Sequence, residues 1–194
     1  MMPLTRQDLY SLEQYAEQRA AFRAKVIEHK QARNLQLGKH LSLLFEDRLT
    51  VQYQVQEMLR IERIFESAGI EEELSAYNPL IPDGKNWKAT LMIEYPDVEQ
   101  RRIALEQLLG IEDQIWVQIA DTDKVLAIAD EDLDRSTAEK TSAVHFLRFE
   151  FTAEQVAVMQ AGAKISIGVN HPHYTEQASP IAQNLRAALL ADFA

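Results

Sequence analysis

The chain has 194 residues, 46% hydrophobic and 26% charged, enough to bury a substantial core. It contains no cysteine, which excludes disulfides, iron–sulfur ligation by this chain, thiol nucleophiles and cysteine-type zinc sites. A net charge of −10 argues against general nucleic-acid binding. The N-terminus has neither the basic nor the apolar part of a signal peptide, and no run of eighteen apolar residues occurs, so no membrane span and a cytoplasmic location are expected.

Charge is unevenly placed. Residues 1–63 carry 10 Lys/Arg against 8 Asp/Glu, whereas 64–194 carry 10 against 22. A solvated acidic face is the expected consequence.

Thr5, with Asp8 three residues on, reads as the cap of a first helix running to about Ala32. Its apolar side holds Leu9, Leu12, Tyr15, Ala16, Ala20, Val26 and Ile27, with Arg19 and Arg23 inside the same arc. Residues 35–37 and 41–45 read as short strands around Gly38. Residues 49–66 read as a second helix. At 100° per residue Val51, Val55, Met58, Leu59 and Phe65 gather into one arc, and Glu62 falls near its middle. A carboxylate there needs a cation, a metal, a shared proton or an exposed groove. Residues 71–86 look less regular and contain Asn78-Pro79 and Pro82-Asp83-Gly84 turn signals.

From Trp87 the pattern alternates: Trp87, Ala89, Leu91, Ile93 and Tyr95 share a face. Asp97 caps a helix to Leu109, and Gly110 stops it. Strands follow at 115–120 and 125–129, joined by a tight hairpin, and at 144–151. Thr152 caps a helix to Gln160. A strand at 164–170 and a helix at 181–190 complete the chain, whose last dozen residues are expected to be the least ordered. The expected class is α+β: one domain over 1–194, with a helical part (1–70), a long N-terminal helix pair, and a mostly antiparallel sheet (71–194) with helices on one face.

Three constellations can carry chemistry. Arg19 and Arg23 on the first helix face Glu62 and Glu66 on the second if the two pack face to face. That gives a two-by-two ion-pair ladder, with an anion site or a carboxylate metal site as the alternatives. His171 and His173 stand two residues apart beside Glu176 and form at most half a metal site, against solvated loop histidines. His145 shares a strand face with Leu147, Phe149 and Phe151, the place of a hydrogen-bonded core histidine. The run from Asp130 to Asp134 has calcium-loop spacing at its start. Arg135 stands where that loop needs Gly and Thr141 where it needs Glu, so a solvated turn is expected. No Glu-x-x-His, nucleotide-binding glycine loop or Gly-x-Ser-x-Gly occurs.

Five strings carry a family resemblance: Leu-Leu-Phe-Glu-Asp-Arg at 43–48, Tyr-Gln-Val-Gln-Glu-Met-Leu-Arg-Ile-Glu-Arg at 53–63, Tyr-Asn-Pro-Leu-Ile-Pro at 77–82, Trp-Lys-Ala-Thr-Leu-Met-Ile-Glu-Tyr-Pro at 87–96 and Lys-Thr-Ser-Ala-Val-His-Phe-Leu-Arg-Phe at 140–149. Over nearly its whole length the chain resembles the bacterial domain-of-unknown-function family 3501. Members are encoded beside rubrerythrin-like proteins and iron–sulfur oxidoreductases. The resemblance therefore implies a redox neighbourhood by association alone, with no established activity.

Two readings follow. One is an accessory or interaction protein for a cytoplasmic redox partner, working through the helix that bears Tyr53, Glu57, Arg60 and Glu62. The other is an enzyme or sensor that binds a small ligand or metal in a polar groove between the N-terminal helices and the sheet, with Glu46, Arg48, Tyr53, Glu57, Arg60, Glu62 and His145 as candidates. The cofactor stays open. The first helix can also pair with a second copy, placing Arg19 and Arg23 against Glu62 across a homodimer.

Overall fold

The β-branched and aromatic residues that alternate along residues 86–93 and 144–150 form the two central strands of the molecule. The computed structural model describes residues 2–193. A 3-10 turn at Arg6–Asp8 carries the Thr5 capping box, but the first helix does not start there. Helix α1 (Leu12–Gln31) is capped by Ser11, whose hydroxyl accepts from the Gln14 amide. A hairpin of β1 (Asn34–Leu37) and β2 (Leu41–Glu46) leads to Asp47, which caps α2 (Arg48–Glu62) by accepting from the Leu49 and Thr50 amides. Arg63 adopts a left-handed conformation (φ 56°) and ends α2. Helix α3 (Ser67–Tyr77) follows, so the irregular stretch expected at 71–86 is helical through Tyr77. Its turn signals act only after that point, in the 3-10 turn Asn78–Leu80.

The rest of the order is β3 (Asn86–Ile93), α4 (Val98–Gln107), β4 (Ile115–Ile119), β5 (Val125–Leu126), β6 (Ile128–Ala129), β7 (Val144–Glu150), α5 (Ala153–Gln160), β8 (Ile165–His171), β9 (Tyr174–Ala178) and α6 (Gln183–Leu190). The class is α+β with antiparallel pairing throughout, and the strands divide into two sheets, β1-β2-β3-β7-β6 and β5-β4-β8-β9. Both sheets contribute to one hydrophobic core, including Leu43, Phe45, Trp87, Leu91 and Phe149 from the first and Ile115, Val117, Ile165, Ile167 and Val169 from the second.

The sheets are joined at two corners. Residues 125–129 leave one sheet and enter the other at buried Ala127, whose amide donates to Ile115 O. At the far side the Tyr174 hydroxyl donates to Leu37 O and accepts from the His40 amide. Gly38 sits at this second corner with φ 67°, and a Cβ there would lie 2.5 Å from the Tyr174 hydroxyl, so only glycine fits.

The opposite face of the first sheet, which carries Leu44, Glu46, Thr90, Met92 and Phe146, lies under α2 and the Tyr77–Leu80 segment. Among the described residues no helix is long and apolar enough to cross a membrane.

The last dozen residues are anchored. Leu185 and Leu189 of α6 are buried in the core, and the Trp87 indole donates to Leu189 O at 3.0 Å. Arg33, only 2% exposed, donates to Phe45 O, Glu46 O and Ala188 O and pairs with the buried Asp192 carboxylate. Asp47 and His29 extend this network, at 3.4 Å from Arg33 and 2.5 Å from each other.

Candidate functional site

Helix α2 presents two faces, and this decides where its charged residues go. Its stripe of Val51, Val55 and Leu59 packs against Leu4, Ile70, Leu74 and Ile81, and meets α1 only at that helix's first residue, Leu12. Helix α1 packs through a narrow seam of Tyr15, Phe22 and Val26 onto the other face, where Leu49 and Tyr53 lie. The ladder expected between the helices is therefore corrected. Arg19 falls in the seam and meets Glu57, at 2.7 Å from Nε to Oε1 and 2.9 Å from Nη2 to Oε2. The Tyr15 hydroxyl donates to Glu57 at 2.6 Å and Arg60 adds a fourth donor at 3.2 Å. The Arg19 hydrogen bonds hold the Glu57 carboxyl at about 2, far below the usual carboxylate range.

Glu62 is exposed, as are Arg23 and Glu66. Glu62 is the last residue of α2, and Phe65, which completes the arc on a helical wheel, lies beyond the left-handed Arg63 and is 68% exposed. The wheel extends a helix past the point where the chain turns.

The remaining candidates separate. Arg48 pairs with Asp8 at 2.6 Å and donates to Met2 O. Tyr53 packs on Phe22, with the Lys30 ammonium 5.7 Å from its ring centre. His171 is buried: Nε2 lies 3.2 Å from Leu109 O beyond the end of α4, and Nδ1 accepts from the His173 amide within the β8–β9 hairpin, so both ring nitrogens are occupied. The His173 ring is exposed beside it, 5.8 Å away between ring centres.

His145 is fully buried on the core side of β7. Its Nδ1 lies 2.6 Å from Asp130 Oδ2, and its Nε2 lies 2.8 Å from Thr141 Oγ1 and 3.1 Å from Ser142 O. Glu112 completes the cluster 3.8 Å from Nε2 and accepts from the Ser136 and Thr141 hydroxyls. Asp130 also accepts from the Phe146 amide and Arg135, so it is a structural member of the core network, not part of a solvated turn.

Glu112, Asp130 and His145 are close enough together to suggest a metal site. However, the two carboxylates approach opposite ring nitrogens, each engaged in a hydrogen bond, and a single ion would break this arrangement to use all three. Asp130, His145 and Thr141 also have the connectivity of a charge relay. Thr141 is only 2% exposed and its hydroxyl is bonded on every side, so it is not presented to a substrate. The cluster ties the 130–142 loop to the core.

Of the expected ligand residues, Glu46 alone lines a cavity between the helices and the sheet. This cavity, about 260 Å³, is walled by Leu44, Val51, Leu80, Met92 and Phe146. Its polar groups are Glu46, Lys30, Gln54, Tyr77 and Thr90. Glu46 accepts from the Thr50 hydroxyl at 2.5 Å and the Thr90 hydroxyl at 2.7 Å. Lys30 makes no ion pair among the described residues. Sequence reasoning missed Lys30, Gln54, Tyr77 and Thr90. The available signal was the even-numbered face of residues 42–46 and 88–92, which mixes Leu44 and Met92 with polar residues where a solvated face would be polar throughout.

A solved structure from Burkholderia pseudomallei K96243, described as a novel protein of unknown function, is 53% identical, with full coverage of both chains and a TM-score of 0.94. No curated protein matches the chain. The family described as "Protein of unknown function (DUF3501)" matches residues 3–193. The chain belongs to this DUF3501 family.

Proposed function

We propose that the protein binds a small organic acid in the cavity between its N-terminal helices and the outer face of the first sheet. The supporting observation is the combination of an apolar wall with one unpaired cation, Lys30, and one carboxylate, Glu46. Such sites are mostly apolar with a few convergent polar groups. At about 260 Å³ the cavity lies below the roughly 300–1,000 Å³ of drug-sized sites, which sets the ligand at metabolite size. Lys30 takes the anionic group, Glu46 accepts from a hydroxyl or amine, and Leu80, Met92 and Phe146 pack on the hydrocarbon. A thermal-shift and calorimetric series with short aliphatic and aromatic carboxylates tests this. Saturable binding that Lys30→Glu weakens at least tenfold is expected. No binding across the series, or binding indifferent to Lys30, rules it out.

A second reading is an accessory protein that docks a redox partner, and exposed apolar residues at the end of α2 favour it. Ile61 and Phe65 are 59% and 68% exposed, and Phe65 borders a groove of about 390 Å³ with Leu9, Tyr10, Leu59 and Ile70. Titration against a purified iron–sulfur oxidoreductase or rubrerythrin-like protein, with Phe65→Ser as control, decides it. A complex that this substitution dissociates supports docking, and no complex removes it.

A further inference from the structure

Lys88 occupies an unusual position. It lies on the outer face of β3, directly opposite Glu46 on one neighbouring strand and Arg148 on the other. Like charges set opposite each other across strands are destabilising. Arg148 is provided for: it grips Glu131 at 2.7 and 2.8 Å and Glu150 at 2.6 Å. Glu46 is engaged by Thr50 and Thr90. Lys88 has no carboxylate within 4.0 Å among the described residues and is only partly exposed.

Lys88 borders a cavity of about 100 Å³ with Leu80, Phe146 and Arg148, and with the carboxylates Glu131 and Asp132, which Arg148 and Arg135 respectively hold. This cavity shares Leu80 and Phe146 with the organic-acid site but is a separate space, and nothing below requires that site to be filled. Burial, and then the guanidinium of Arg148, push the lysine's pKa down, while Glu131, Asp83 and Glu150 act in the opposite direction. Desolvation beside a second cation is one of the ways a protein keeps a lysine amine nucleophilic.

We propose that Lys88 is a carbonyl-reactive lysine, a covalent site for a small aldehyde or ketone admitted to the cavity beside Arg148. The neutral amine adds through its nitrogen lone pair to the carbonyl carbon. The C–N bond forms as the carbonyl π bond opens, and the oxygen takes the proton that the nitrogen gives up, leaving a neutral carbinolamine. With one further proton from solvent that oxygen departs as water, and the nitrogen lone pair forms the C=N bond of the iminium. No oxidant or reductant is needed until the adduct is trapped.

The test incubates the intact protein with propanal or with pyruvate, traps the iminium with cyanoborohydride and maps the modified lysines by peptide mass spectrometry. Lys85, exposed and three residues away, is the internal reference. Label at Lys88 is expected to accumulate several-fold faster than at Lys85 near neutral pH, because burial and the neighbouring Arg148 favour its neutral amine. Arg148→Gln is expected to slow it several-fold, because it removes the like charge and frees Glu131 to pair with Lys88. The neutral and anionic probes distinguish plain carbonyl reactivity, seen with both, from selection of keto acids, seen with pyruvate alone, and either result supports the site. Labelling of Lys88 no faster than Lys85 with both probes overturns the proposal, as does a rate indifferent to Arg148. The comparison of Lys88 with Lys85 uses the wild-type chain, so that arm does not depend on any variant folding.

Discussion

Arg19 and Glu57 are joined by two parallel hydrogen bonds across the α1–α2 seam, with the Tyr15 hydroxyl as a third donor to the same carboxylate. The geometry is the bidentate fork that arginine makes and lysine cannot. Glu57→Ala leaves Tyr15 and Arg19 without their acceptor and is expected to cost about 2 kcal/mol. Glu62→Ala, five residues on and exposed, is expected to stay within about 0.5 kcal/mol of wild type. Urea denaturation of the two variants checks the contrast.

The same pair makes stability depend on acid. Glu57 titrates at about 2 in the folded protein against a usual 4.5, with Arg19 the main cause. Asp8, held by Arg48, is likewise lowered to about 2 from 3.8. A carboxylate whose folded pKa is depressed stabilises fully above its unfolded pKa, and that contribution is lost as pH falls through the folded value. Stability is therefore expected to decline between about pH 4.5 and pH 2, and Glu57→Gln to flatten the slope. Chemical denaturation across this window measures it.

His145 and Asp130 give a third prediction. Asp130→Ala removes acceptors from the His145 ring, the Phe146 amide and Arg135 together, and is expected to destabilise by about 2–4 kcal/mol. Asp130→Asn keeps an acceptor and tolerates the left-handed backbone at this position (φ 49°), so it is expected to cost less. Hydrogen exchange at the Phe146 amide reports the local loss, and the global melting curve reports the rest.

The Arg33–Asp192 pair predicts that the C-terminus is structural. Asp192→Ala leaves a buried guanidinium short of its counter-charge, at an expected cost of about 3 kcal/mol or more. Asp192→Asn, which keeps a hydrogen-bond acceptor, is expected to cost less. Thermal melts of the two variants, with near-ultraviolet dichroism of Trp87 as a local probe of α6 docking, decide between this and a dispensable tail.

The sequence by itself determined the local elements, because their causes are local. Alternation at period two placed β3 and β7, and Asp97 and Thr152 marked helix starts because a short side-chain acceptor satisfies amides that the helix leaves free. The α+β class and the family resemblance were also legible in the chain. Pairing across the chain was not. Arg19 chose Glu57 over Glu62 because α1 packs on the Tyr53 face of α2, and a helical wheel shows which residues share a side without showing which neighbour covers it. The cavity was hidden for the same reason: Lys30, Glu46 and Thr90 come from three elements that meet only after the sheet forms. His145, expected among core apolar residues, lies there, but its partners Glu112 and Asp130 come from separate segments that no local pattern ties to it. Local periodicity sets each residue's face, and only the tertiary structure sets what that face meets.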